Sequence, residues 1–216
     1  MVETLGFLGG TGPQGQGLAA RFALAGYPVW LGSREAERGQ AVAAELAAEL
    51  GAAVHGGRNE DAAQAADVLF VVLPYAAQEE TLSQLRDVLA GKLVINCVNH
   101  MAFDEHGPYA PGVAGGSAAQ ECAMQLPDST VVSAFHDISA RALARHEQSI
   151  DADVLVCGDD AVAKERVIEL AAQIAGLRGI DCGPLRMSGA IEDLTPVLVN
   201  INRRYKTHAS VKIAGL

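Results

Sequence analysis

Between Phe7 and Gly17 the chain reads FLGGTGPQGQG, and this stretch limits the fold more than any other. Gly10, Gly12 and Gly15 stand in the spacing G-x-G-x-x-G. The apolar run TLGFLG before them reads as a strand, and PQGQGLAARFALAG after them reads as a helix closed at Gly26. In that setting each glycine has a task. Gly10 permits the tight turn, Gly12 lets backbone approach a pyrophosphate, and Gly15 lets helix and strand pack closely. The unpaired N–H groups opening the helix, with its dipole behind them, then face the phosphates.

The rest of the chain repeats the rhythm. PVWLGS predicts a second strand, REAERGQAVAAELAAELG a helix closed by Gly51, AAVHGG a short strand, and NEDAAQAA a short helix with Asn59 as N-cap. VLFVVLP and LVINCVN are continuous apolar runs, as strands covered on both faces are, and AAQEETLSQLRDVLAG between them is a helix. HMAFDEHGPYAPGVAGG, rich in Gly and Pro, reads as a loop. A helix capped by Ser117, the strand TVVSAFH, the strand DADVLVCG, a helix begun at Asp159 and Asp160, and a last strand LRGIDCG follow. SGAIEDLTPVLVNINRR looks helical, with Pro196 bending or breaking it. The expected fold class is α/β: a Rossmann-type, doubly wound parallel sheet with a small C-terminal α/β lobe. The expected division is residues 1–140 for the nucleotide-binding domain and 141–216 for the small lobe.

Composition excludes several classes. With a net charge of −10, the chain is a poor partner for nucleic acid or an acidic membrane. No apolar run reaches the ~18 residues of a membrane helix, and the N-terminus lacks a signal-peptide layout. Cys97, Cys122, Cys157 and Cys182 are widely spread with no metal-like spacing, so reduced thiols, a cytoplasmic location and no bound metal are expected.

The glycine stretch also spells T-G-x-x-G-x-G, the form used by short-chain dehydrogenases. Those enzymes need a Tyr-x-x-x-Lys pair for proton transfer, and Tyr27, Tyr75, Tyr109 and Tyr205 all lack the lysine. At the end of the second strand, where an NAD site carries Asp or Glu, the chain offers Ser33 and Arg34, with Arg38 one helical turn later. A hydroxyl and two guanidinium groups there suit a ribose 2′-phosphate, so the expected nucleotide is NADP(H).

LGGTGPQGQGLAARFALAGYPVWLGSRE, VLPY, INCVN, VVSAFHDISA, VCGDD, DCGPL and LTPVLVNINR follow one another along nearly the whole chain. In these motifs the sequence resembles the coenzyme F420-dependent NADP oxidoreductases. The resemblance implies hydride transfer between nicotinamide C4 and C5 of an 8-hydroxy-5-deazaflavin, usually in a homodimer. It places Thr11, Gly12, Pro13 and Gln14 on the pyrophosphate and Ser33, Arg34 and Arg38 on the 2′-phosphate. Leu73, Pro74 and Tyr75 would lie beside ribose and nicotinamide, and Val98, Asn99 and Ala140 near the nicotinamide. His136 and Ile138 would border the deazaflavin. His100 stands where related sequences often carry proline, and would lie near the second-substrate pocket.

A hydride moving between two ring carbons needs no protein acid or base at the carbon, so no catalytic residue is assigned; His136 is at most an orienting group. Arg203, Arg204, Lys206 and Lys212 make the C-terminus basic and would attract the phosphate and glutamate tail implied for the deazaflavin, or serve as a solvated or dimer surface. Arg141 and Arg145 read as a solvated face. Alternatives are an NADPH-dependent flavin or ferric reductase-like enzyme, and an NADPH-sensing module without turnover. A hydroxyacid or imine reductase would need a longer helical C-terminal domain.

Overall fold

The computed structural model describes residues 2–216. The chain runs β1 (Leu5–Leu8), α1 (Pro13–Leu24), β2 (Val29–Ser33), α2 (Ala36–Leu50), β3 (Val54–Arg58), α3 (Asn59–Ala65), β4 (Val68–Val71), α4 (Tyr75–Leu89) and β5 (Leu93–Asn96). A hairpin of β6 (Ala102–Asp104) and β7 (Gly107–Tyr109) comes next, then α5 (Ala118–Gln125) and β8 (Thr130–Ser133). The last part is α6 (Ala140–Leu143), β9 (Ala152–Gly158), α7 (Ala161–Ala171), β10 (Leu177–Asp181), α8 (Ser188–Glu192) and α9 (Leu194–Tyr205).

Eight strands form one sheet in the order β10-β9-β8-β5-β4-β1-β2-β3. From β3 to β8 every pair is parallel, as the continuous apolar runs predict. The chain winds outward from β1 to β3, crosses back, and winds the other way from β4, so strand order reverses between β1 and β4. That reversal opens the crevice where open α/β sheets bind ligands. One large apolar cluster covers one face, including Phe7, Phe22, Phe70 and Phe135; the other face is covered by Leu69, Leu82, Leu89 and Val94 among others. Phe7 and Phe70, opposite each other on β1 and β4, stack with centroids 4.7 Å apart. No described helix is long and apolar enough to cross a membrane.

Local chemistry explains most boundaries. Gly51 ends α2 in the left-handed conformation at φ 62°, and Ser117 caps α5 by accepting from the Gln120 amide at 3.0 Å. Asp160 caps α7 through the Ala163 amide, whereas Asp159 accepts from the Leu185 amide, 26 residues on. Asn59 is not a cap; it is the first residue of α3. The Gly- and Pro-rich segment after β5 holds the β6–β7 hairpin where a loop is expected. Pro196 lies in the first turn of α9, so the break between α8 and α9 falls at Asp193. Strand β9 pairs antiparallel with β8, and β10 runs parallel to β9, so one sheet continues through residue 140.

Candidate functional site

The glycine-rich turn is held from behind. Gly9 sits at φ 76°, and its amide donates to Asn59 Oδ1 at 2.9 Å. The side chain expected to cap a helix therefore fastens the turn. A Cβ on Gly10 would lie 2.8 Å from the Phe7 carbonyl oxygen, and one on Gly15 only 2.6 Å from Gly10 Cα. On Gly12 it would meet only the Gly9 carbonyl oxygen, at 3.7 Å. So Gly10 and Gly15 are required by packing, whereas the space beside Gly12 is open. Gly12 precedes α1 with no side-chain cap, and Pro13 supplies the first helical position. The backbone there presents unsatisfied N–H groups, the donors an anionic phosphate needs. Thr11 is buried, and its carbonyl accepts from Gln16 Nε2 at 2.7 Å.

At the end of β2, buried Ser33 accepts from the Glu35 amide at 3.3 Å. Arg34 and Arg38 are exposed and, among the described residues, unpaired with any carboxylate. This donor set fits a phosphate.

A cleft of about 770 Å³ opens beyond the C-terminal ends of β5 and β8. Of the expected residues, Gln14, Asn99, His136, Ile138 and Ala140 line it. Gln14 reaches across from the glycine turn and donates to the Phe135 carbonyl at 3.2 Å. Asn99 Nδ2 donates to the His136 carbonyl at 3.2 Å. The Thr195 hydroxyl, from the start of α9, faces both Asn99 Oδ1 at 3.0 Å and the His136 carbonyl at 3.2 Å. Thr195 thus ties the β5 loop, the β8 loop and α9 into one wall. Sequence reasoning did not single it out, although it lies inside LTPVLVNINR. Leu198, Val199 and Asn202 extend that wall along α9.

The turn after β8 is built under constraint. Phe135 adopts φ 64°, unusual for a bulky residue, and is held there by full burial among Phe22 and Phe70. His136 follows, 3% exposed, with Nε2 on the Ser133 hydroxyl at 2.8 Å and Nδ1 without a partner. Burial holds its pKa down at about 3, so the imidazole is neutral. Asp137 is equally buried, and neither of its carboxylate oxygens has a hydrogen-bond partner. Burial pushes its pKa up to about 7, and nearby Asp153 adds to the rise. From α1, Arg21 steadies the cleft wall by donating to the carbonyls of Ala142, Leu143 and Arg145 around α6.

The remaining expected residues lie elsewhere. Leu73 is in the core and Pro74 precedes α4. Tyr75 lines a separate cavity of about 290 Å³, its hydroxyl donating to Glu121 at 2.8 Å. Burial, with Glu121 second, raises its pKa to about 12. Val98 is 2% exposed and turns into the core, its amide donating to Asn96 Oδ1 at 3.1 Å. His100 does not line the cleft, although Asn99 and Met101 do. Its ring is buried between Glu192, at 2.7 Å, and Asp193, at 3.2 Å. Glu192 also accepts from the amides of Ala118 and Ala119, so His100 belongs to a latch joining α5 and α8.

Similar proteins narrow the chemistry. A family model described as "NADP oxidoreductase coenzyme F420-dependent" matches residues 4–100. An F420-dependent NADP reductase of Methanothermobacter thermautotrophicus is 38% identical over 229 residues, covering 100% of this chain and 97% of the relative. One from Methanocaldococcus jannaschii is 37% identical over 220 residues, covering 98% of each. A crystal structure from Arthrobacter sp. FB24, described as a candidate F420-dependent NADP reductase, superposes with a TM-score of 0.85 at 25% identity, over 99% of this chain and 100% of that one. With relatives this similar along its whole length, the chain belongs to the family of F420-dependent NADP reductases.

Proposed function

We propose that this protein transfers a hydride between NADP(H) and the deazaflavin coenzyme F420. The observation that carries the reading is the single cleft of about 770 Å³, walled at once by Gln14 of the nucleotide turn and by Thr195 of α9. A site of that size suits two ring systems face to face. The coenzymes themselves supply the redox chemistry, a hydride passing between nicotinamide C4 and deazaflavin C5. The protein binds, aligns and excludes water.

Thr11, Gly12, Pro13 and Gln14 take the pyrophosphate, and the open space beside Gly12 supports this. Ser33, Arg34 and Arg38 take the 2′-phosphate. Leu73, Pro74 and Tyr75 shape the approach to ribose and nicotinamide from behind, since none of them lines the cleft. Val98 fixes the backbone from which Asn99 faces the nicotinamide, opposite Ala140. His136 and Ile138 border the deazaflavin. The unpartnered Nδ1 of His136 supports a ligand contact, because a buried polar atom left alone is expensive. A neutral imidazole orients a ring edge without donating charge to it. Residues 141–216 close the deazaflavin side, and two copies associate as a cytoplasmic homodimer.

The test is direct. Purified protein with NADPH should bleach the visible absorbance of F420, and with NADH far more slowly. No bleaching from mildly acidic to alkaline pH refutes the reading. A sedimentation mass near the 22.5 kDa of one chain refutes the dimer.

A further inference from the structure

The C-terminal basic stretch does not behave as one surface. Lys212 pairs with Asp151, and Arg204 lies outside the cleft. Arg203 and Lys206, by contrast, line the cleft, and so do His208 and, from α6, Arg141. None of these four has a carboxylate partner among the described residues. The one acidic residue lining the cleft is Asp137, which is buried and whose pKa burial raises to about 7. In a chain of net charge −10, such a concentration of unpaired cations is selective. The backbone contributes to it. Lys206 closes α9 at φ 51°, a left-handed position where glycine is usual, and the turn that follows brings His208 back onto the cleft.

We propose that Arg141, Arg203, Lys206 and His208 form an anion subsite on the rim of the cleft, which holds the phosphodiester and carboxylate groups of the second substrate. The proposal rests on the reading of the cleft as the deazaflavin site. The same anion chemistry is also present in the nucleotide, but the turn at Gly12 and the cations after β2 already provide for it elsewhere. The rim therefore selects for a tailed coenzyme over its bare ring. Because Arg141, Arg203 and Lys206 are exposed and His208 is half-buried, the attraction is screened by salt.

The experiment compares intact F420 with the ring-and-ribityl fragment that lacks phosphate and carboxylates. Both are assayed against the parent protein, an Arg203→Gln/Lys206→Gln double variant, Arg141→Gln on the opposite wall, and Arg204→Gln as a control from the same helix. Thermal melting confirms that each is folded, and fluorescence of the deazaflavin gives binding without turnover. The parent should bind the intact coenzyme at least about tenfold more tightly than the fragment. The double variant should raise KM and Kd for the intact coenzyme about tenfold, with less than about a twofold change for the fragment. Arg141→Gln should act in the same direction, Arg204→Gln should do neither, and added salt should mimic the double variant. Equal losses for both compounds, no loss for either, or a loss confined to NADPH overturns the subsite. If neither compound turns over, the proposed reaction fails, and the fluorescence titration still decides. Tail-dependent binding then upholds the rim; tail-independent or absent binding overturns it.

Discussion

Asp137 should make this protein less stable as the solution becomes more alkaline. Its carboxyl group is 3% exposed with neither oxygen bonded, and burial moves its pKa from 3.8 to about 7. The nearby backbone amides, of Asp137 itself first and of Leu155 second, offset only part of that rise. At pH 3 the folded and unfolded chains both hold the proton, and the group has no effect. As pH climbs through 3.8 the unfolded chain releases the proton while the folded one keeps it, so stability falls. Above about pH 7 both states are ionised and the loss stays constant. The gap of about three pH units, at about 1.4 kcal/mol each, amounts to about 4 kcal/mol. Asp137→Asn exchanges a buried acid for a neutral group of similar shape. It should stabilise the protein by about 4 kcal/mol at pH 8 but by under about 2 kcal/mol at pH 5. At pH 8 that corresponds to a rise in Tm on the order of 10 °C for a chain of this length. Urea unfolding at both pH values reads the difference. An increment that is the same at pH 5 and pH 8, or no increment at all, shows that the carboxyl group titrates normally and refutes the argument.

Other outcomes follow from the same geometry. Arg34→Glu should weaken NADPH binding by about 1.5–3 kcal/mol, the scale of a charge-assisted bond, and spare NADH; equal losses by titration would remove Arg34 from the phosphate. Gly15→Ala should destabilise the fold by about 1–3 kcal/mol, because its Cβ meets backbone that cannot give way. Gly12→Ala should leave Tm nearly unchanged yet cut NADP(H) affinity at least about tenfold, its methyl group filling the space beside the turn. His136 stays neutral above about pH 3, so His136→Asn should lower kcat about tenfold while leaving every limb of the pH–rate profile in place. Depression of the His136 pKa also means that stability falls as pH drops below 6.5, where only the unfolded chain takes up the proton.

What the sequence disclosed depended on range. Gly51, Ser117 and Asp160 act within a few residues, so their capping roles could be read directly from the chain. The parallel arrangement of β1 to β5 and β8 followed from buried apolar runs alternating with amphipathic ones. Asn59 misled because its residue type suits a cap, while its partner, Gly9, lies fifty residues away. Thr195 was hidden for the same reason, since its partners are Asn99 and the His136 carbonyl. The β6–β7 hairpin hid among glycines and prolines that signal loop. Arg141 looked like solvated surface because a helical wheel cannot show which cleft a helix borders.

The least legible feature, the direction of β9, is also what completes the cleft. Ser133, the last residue of β8, pairs with Cys157, the sixth of seven residues in β9. Because β9 runs the opposite way, residues 152–156 must continue past the end of β8, toward the side where the parallel strands finish. At about 3.4 Å per residue they rise roughly 17 Å above that edge. β10, in register from Leu177 opposite Ala152 to Asp181 opposite Val156, rises with them. A sheet that stayed parallel would have ended level with the loops and left the cleft open on this flank. The raised strand would otherwise expose an unpaired edge. That edge is covered: the Asp153 amide donates to the Val211 carbonyl, and Asp153 Oδ2 accepts from the Ile213 amide. Arg178 on β10 fixes the Asp153 carboxylate from the other side at 2.8 Å. The C-terminal segment that carries His208 to the cleft rim is therefore anchored by the strand reversal itself. Releasing it with Arg178→Ala should loosen the rim before the nucleotide turn, so KM for the deazaflavin should rise while KM for NADPH holds. If both rose together, the raised wall would be part of the general core and not a separate support of one substrate.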